Sequence, residues 1–342
     1  MQNKGIFSRI FGPRGTSEEL PFNVKALLTR AIIYIQRKVF ANHHSYGAYA
    51  FAPKPLDLDR SIDLIAAKIQ RGEPFMIGKI GTTDGEALAR YIDINAEESV
   101  MTKITKMLIG IRGPFWWDNT ILGSLGCSGG VFPTTPNGAT EFYNIFSKSC
   151  MDIDIILNFT AGQHRLQKLL CVNPVVVEFN ALVPFNHSHN WYKALKNKKV
   201  LVIHQYPKTI RLQYNKNVEF HAGQGPLPRF KELITYRPVN SIGGHNDKFP
   251  SWNAALQHMI DNVSKIDFDV ALLGCGLYGI PLSAHIRHMG KIAIYTGGAT
   301  QIIFGIKGKR WDNAKIYNDH WTRPLPDDVP KNMGEIEGGC FL

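Results

Sequence analysis

The chain has 342 residues, of which 44% are hydrophobic and 20% charged, with a formal charge of +11. That is enough apolar material for one large core or two modest ones, and it excludes a disordered or fibrous protein. The charge points to an anionic partner: a nucleotide, a phospholipid surface or nucleic acid.

Five cysteines, Cys127, Cys150, Cys171, Cys275 and Cys340, are scattered with no C-x-x-C pair. That spacing argues against a disulfide framework or a zinc site and fits reduced thiols in the cytoplasm. The first residues lack the continuous apolar core of a signal peptide, and no run approaches the ~20 apolar residues of a membrane span.

Residues 1–20 read as a basic tail. Residues 22–40 (FNVKALLTRAIIYIQRKVF) predict a helix in which Lys25, Arg30, Arg37 and Lys38 alternate with apolar positions. Such a helix either packs on the core or lies on the inner face of an anionic membrane as a peripheral contact. Loop-like residues 42–56 follow. Asp57 to Gln70 has helical periodicity and Gly72 ends it. Phe75 to Ile80 predicts a short strand, and Gly81-Thr82-Thr83 turns into a helix beginning near Asp84. A further helix is expected over 96–109. Residues 112–137, rich in Gly, Pro and Trp, read as irregular chain near a site.

Helix 138–149, strand 152–158, helix 161–170 and strand 174–179 continue the rhythm. Residues 184–198 form a crossover through His187, His189 and Trp191. Strand 199–204 ends at His204, and helix 251–265 precedes a β-α-β unit over 267–298. Alternation of this kind predicts an α/β, Rossmann-like fold, with a mostly parallel sheet and helices on both faces. Four segments are expected: a basic N-terminal part (1–56), two α/β halves (57–190 and 191–322), and an extended C-terminal tail (323–342) that packs back on the body. Trp321 and Phe341-Leu342 are the reason to expect that packing.

Two stretches carry chemistry. In the first, the apolar run Val270-Ala271-Leu272-Leu273 stops at Gly274, Gly276 and Gly279, spaced G-x-G-x-x-G, and Pro281 lies in the helix that follows. In a strand–turn–helix context these glycines let a diphosphate approach the backbone, where the helix dipole favours its charge. An NAD site would also have a carboxylate about 20 residues on. Here the next strand ends Tyr295-Thr296-Gly297-Gly298, which argues against NAD and leaves a nucleotide-linked substrate open.

The second stretch is Gly78-Lys79-Ile80-Gly81-Thr82-Thr83-Asp84-Gly85-Glu86. Asp84 and Glu86 can share a divalent cation, Mn2+ or Mg2+, that bridges substrate oxygens. Thr83-x-x-Glu86 is also a capping box, which explains both carboxylates without metal. A competing pair, Asp267-x-Asp269, precedes its strand and so reads as structural.

These residues resemble the GT-D type of bacterial glycosyltransferase. The D-x-E motif Asp84-Gly85-Glu86 and the distant GCGLYG…GKIAIYTGGATQIIFGIKGKRW carry the likeness. The second half, from about Trp191, is similar to proteins encoded near surface-polysaccharide genes. The loop from Lys79 to Asp84 is one residue longer than the family pattern. The resemblance implies a Rossmann-like domain and a metal-dependent transfer from a nucleoside-diphosphate sugar, UDP-sugars favoured, to a glycan or lipid-linked acceptor. It places Asp84 and Glu86 at the metal.

The donor-binding candidates are Gly78, Lys79, Gly81, Thr82, Thr83, Gly274, Gly276, Tyr278, Gly279, Gly297, Gly298, Gln301, Lys309 and Arg310. Glu86, His204 and Glu337 are candidates for the base that takes the acceptor's proton, with Asp84 beside them in the catalytic set. His204 also reads as a strand-end residue bonded to backbone. A Rossmann oxidoreductase or methyltransferase using Gly274–Gly279 is the alternative enzyme class. Basic residues are spread too evenly for a nucleic-acid module.

Overall fold

The computed structural model describes residues 53–109, 111–159, 163–183, 189–330, 334 and 339–342, with isolated positions 27, 28, 31 and 34. Most of the expected basic helix over 22–40 lies outside this set, as do Glu337 and residues 184–188. Among the described residues, no helix is long and apolar enough to cross a membrane.

Seven strands build one sheet: β1 (Met76–Gly78), β2 (Ile155–Asn158), β3 (Val175–Glu178), β4 (Lys199–His204), β5 (Glu232–Tyr236), β6 (Val270–Gly274) and β7 (Ile292–Tyr295). Their order is β3-β2-β1-β7-β6-β4-β5, and every pairing is parallel. The expected mostly parallel sheet is therefore wholly parallel, and β1 pairs with β7 so that the two expected halves share it.

Alternation along the strands sends side chains to two cores. Leu201, Ile203, Ala271 and Leu273 enter one, and Val200, Val202, Val270 and Leu272 the other. The first core is closed by α2 (Thr82–Asn95), α4 (Asn119–Cys127), α5 (Pro136–Cys150), α8 (Trp252–Val263) and α9 (Gly279–His288). The second is closed by α1 (Leu58–Arg71), α7 (Pro207–Lys216) and α10 (Ala299–Ile303), with Trp191 and Trp321. Two short helices, α3 (Val100–Leu108) and α6 (Gln163–Leu170), complete the set.

Local chemistry sets the helix ends. The Asp57 carboxylate caps α1 by accepting from the Arg60 amide at 2.9 Å, and Gly72 closes it at φ 70°. Three elements have no counterpart in the sequence reading. β5 is an edge strand with only partial burial, so its apolar alternation is weak. α4 carries Gly123 and Gly126, poor helix formers. There close approach decides, because a Cβ on Gly126 would stand 2.6 Å from Thr134 Oγ1. In α7, Pro207 occupies the first turn and Ile210 and Gln213 are buried.

The topology positions the site. From β4 the chain moves outward to β5 through α7 on one face, whereas from β6 it moves to β7 through α9 on the other. Connections that leave neighbouring strands in opposite directions open a crevice at their carboxyl ends. The neighbours are β6 and β4, and their last paired residues are Gly274 and His204.

Candidate functional site

The glycine turn lies on this crevice. A Cβ on Gly274 would stand 2.5 Å from Thr300 Oγ1, 2.6 Å from His204 Cδ2 and 2.8 Å from the Gly297 carbonyl oxygen, so three strand ends meet where only hydrogen fits. Gly276 has φ 59°, a left-handed conformation that glycine adopts readily. Nothing lies within 4 Å of where its Cβ would be, so the turn faces open space. A short 3-10 turn, Gly276–Tyr278, precedes α9, so the turn joins the helix one step later than a direct strand-to-helix bend. Gly279 packs under Tyr295: a Cβ there would be 2.2 Å from the ring.

The second stretch arrives from β1. Gly78 is there for packing, since its Cβ would meet Ile153 and Ile280 at 2.9 Å. Lys79 leaves the end of β1 and reaches Gly297, its Cε 3.5 Å and its Nζ 3.7 Å from the position of a Cβ on that glycine. Its ammonium lies 4.1 Å from the ring centre of Phe159. Burial lowers the Lys79 pKa; the nearby charge of Asp84 opposes that shift and Arg310 adds to it.

Asp84 is buried at the third position of α2, whose N-cap is Gly81. Its Oδ2 accepts from the Gly81 amide at 2.8 Å. The cap is thus Gly81 and Asp84, not the expected pair Thr83 and Glu86. Glycine has no side chain to return the bond, so only the carboxylate half of a capping box exists. Desolvation raises the Asp84 pKa, against the Gly81 hydrogen bond and the Lys79 charge. Tyr295 links the two stretches. It donates to the Gly276 carbonyl at 3.1 Å, its ring covers Gly279, and burial, with Asp84 and Cys275 nearby, raises its own pKa.

The last residues close the far side of the crevice. Gln301 Nε2 donates to the Phe341 carbonyl at 2.9 Å and Tyr206 Oη donates to the same oxygen at 3.3 Å. The Lys309 and Arg310 amides donate to the main-chain oxygens of Leu342 and Cys340. The Arg310 guanidinium lies 4.5 Å from the Phe341 ring centre, and a Cβ on Gly298 would stand 2.6 Å from that ring. The final residues, 340–342, therefore pack against Tyr206, Gln301 and the turn at Lys309-Arg310.

Other candidates fall elsewhere. Glu86 is exposed, and positions two apart on a helix do not face each other, so it leaves α2 about 200° around from Asp84. Desolvation still raises its pKa, with Arg90 opposing. Thr82 is exposed and Thr83 half-buried. Tyr278 points into the first core, stacked on Trp252 with its hydroxyl 2.8 Å from Ser241 Oγ, so it is not a crevice residue. His204 Nδ1 accepts from the Tyr206 amide at 3.1 Å, and burial lowers its pKa to about 3. The ring is neutral with its proton on Nε2, and neither nitrogen is free to take another. That matches the backbone-bonded reading and opposes the base. Asp269 accepts from the Lys199 amide at 2.8 Å and Asp267 pairs with the Lys199 side chain, as expected of structural residues.

Asp84 is the one carboxylate of the D-x-E pair that meets the crevice charges, and among the described residues no three His, Cys, Asp or Glu side chains gather as a ligand set. A single carboxylate fits a Mg2+ or Mn2+ ion that arrives with a diphosphate and keeps water ligands. It does not fit an ion held by Asp84 and Glu86 together. Sequence reasoning assigned Tyr295, Phe159 and Phe179 no role at the site, and expected Phe341 only to pack the tail on the body. Each is an aromatic residue at or just beyond a strand end or in the tail, where periodicity carries no signal. No family model matches the chain, and no curated protein or solved structure is significantly similar to it.

Proposed function

We propose that the chain is a glycosyltransferase. It takes a nucleoside-diphosphate sugar, UDP-sugars favoured, and passes the sugar to a glycan or lipid-linked acceptor. The reading is supported above all by one juxtaposition. Lys79, from the end of β1, stands against Gly297 at the end of β7, and Tyr295 ties that strand end to the open turn at Gly276. A diphosphate laid across these strand ends meets the backbone at Gly276, the positive end of α9 and the ammonium of Lys79. Arg310, whose charge already acts on Lys79, adds a second cation.

Sugar transfer expels a nucleoside diphosphate, so the rate depends on stabilising charge that builds on the leaving oxygens. Lys79 is packed against Gly297 and partly desolvated, so it reorganises little as that charge develops. Asp84 holds the loop through Gly81 and offsets the positive charge of Lys79 before the donor arrives. A divalent cation entering with the donor would neutralise further phosphate charge, and Asp84 is the side chain that would hold it.

The test is thermal stabilisation with UDP, GDP, NAD and S-adenosylmethionine, each with and without manganese. The reading expects a nucleoside diphosphate to raise Tm, more so with manganese. A shift with NAD or S-adenosylmethionine alone would replace it with the oxidoreductase or methyltransferase alternative.

A further inference from the structure

We propose that the rings of Phe159 and Phe179 form a stacking platform for a pyranose, the acceptor-sugar subsite of the crevice. The inference rests on the glycosyltransferase reading and adds where the second substrate sits. Asn158 of β2 and Glu178 of β3 are register partners, so the residues that follow them, Phe159 and Phe179, emerge side by side at the carboxyl edge of the sheet. Their ring centres are 4.9 Å apart with the planes at 43°.

Phe159 stays 37% exposed and belongs to neither core, while Phe179 packs only partly against the second. An exposed ring held beside another at the ligand-binding edge of a parallel sheet contributes little to the core. It does offer what a sugar needs. The negative face of an aromatic ring attracts the weakly positive C–H groups on the apolar side of a pyranose. Two residues before Phe159, the Leu157 carbonyl accepts from Gln163 Nε2 at 2.7 Å; Gln163 is fully buried and its Oε1 has no hydrogen-bond partner.

Lys79 joins this corner to the diphosphate position. Its Nζ is 4.1 Å from the Phe159 ring centre, 6.0 Å from that of Phe179 and 3.7 Å from the Cβ position of Gly297. A sugar resting on the two rings therefore lies next to the group that neutralises the leaving phosphate. That is where an attacking hydroxyl has to be held.

Saturation-transfer NMR on the full chain tests this with two probes: UDP, and the methyl β-glycosides of glucose, galactose and N-acetylglucosamine. At least one glycoside should receive saturation from the wild type. Phe159→Ala should weaken that glycoside about tenfold or more while UDP stays within about twofold. Phe159→Trp, which keeps an aromatic face, should retain both. Because Phe159 is outside the cores, the alanine variant should melt like the wild type.

The platform is overturned if no glycoside binds the wild type, or if Phe159→Ala binds it unchanged. Parallel loss of UDP also overturns it, because the rings would then serve the nucleobase or only hold Lys79. A wild type that binds glycoside through Phe159 but never binds UDP would keep the platform and sink the donor reading instead.

Discussion

The hydroxyl of Tyr295 donates a 3.1 Å hydrogen bond to the carbonyl of Gly276, and the ring below it leaves no room for a side chain on Gly279. One residue at the end of β7 thus fixes both the height of the glycine turn and the seat of α9. Gly279→Ala gains about 1 kcal/mol in helix propensity, but overpacking against a tethered buried ring costs about 1–3 kcal/mol. With a Cβ only 2.2 Å from the ring, the second effect wins. Chemical denaturation should show a net loss of up to about 2 kcal/mol. In a Tyr295→Ala background the same change should cost little, because the two positions share one space.

Lys79 makes the anion affinity depend on pH in a definite direction. Burial lowers its pKa below the ordinary 10.5, and only the protonated form attracts a diphosphate. UDP affinity should therefore fall as pH rises, starting below the range where an ordinary lysine titrates. Calorimetric titration of Lys79→Arg, whose guanidinium stays charged, should show that slope removed. Lys79→Met should bind UDP at least about tenfold more weakly while Lys79 is protonated, and the gap should close as pH rises through its titration.

Asp84 is kept at a cost to stability. Its folded pKa is raised above the unfolded 3.8, so the folded state holds its proton more tightly and stability falls as pH climbs through and beyond 3.8. Asp84→Asn removes the buried charge and keeps an oxygen to accept from Gly81. The variant should melt roughly 2 °C higher than the wild type at neutral pH and show no gain in acid. It should also lose any manganese-dependent part of UDP binding. A lower Tm at neutral pH would mean that the carboxylate stabilises the loop in its charged form.

His204 gives the opposite slope. Its pKa falls from 6.5 to about 3 on folding, so between those values the unfolded chain binds the extra proton. Stability should drop by about 1.4 kcal/mol for each pH unit below 6.5, with the loss ending near 3. His204→Gln should flatten that part of the profile. NMR of the His204 ring should show no titration from about pH 5 to 8, and the activity profile should lack a limb from this residue.

The sheet, its parallel pairing and the glycine turn were legible because buried strands and G-x-G-x-x-G leave a mark in one stretch of chain. The partnership between Lys79 and Gly297 was legible only as two separate candidates, since no local pattern brings the ends of β1 and β7 together. The capping register was misjudged. Thr83 and Glu86 satisfy the capping pattern, but Ile80 is buried at the strand end and α2 starts early enough for Asp84 to bond Gly81. That register also turns Glu86 away from the crevice, which spacing along the chain does not reveal. Phe159, Phe179 and Tyr295 act through neighbours on adjacent strands, so their roles emerge only with the strand order.

The most direct measurement is a crystal structure of the full chain with UDP and manganese. The account predicts diphosphate oxygens beside the backbone of Gly276, within hydrogen-bonding reach of Lys79 Nζ and next to Gly297. A nucleotide bound away from the ends of β1, β6 and β7, or lying there with Lys79 turned from its phosphates, would contradict it.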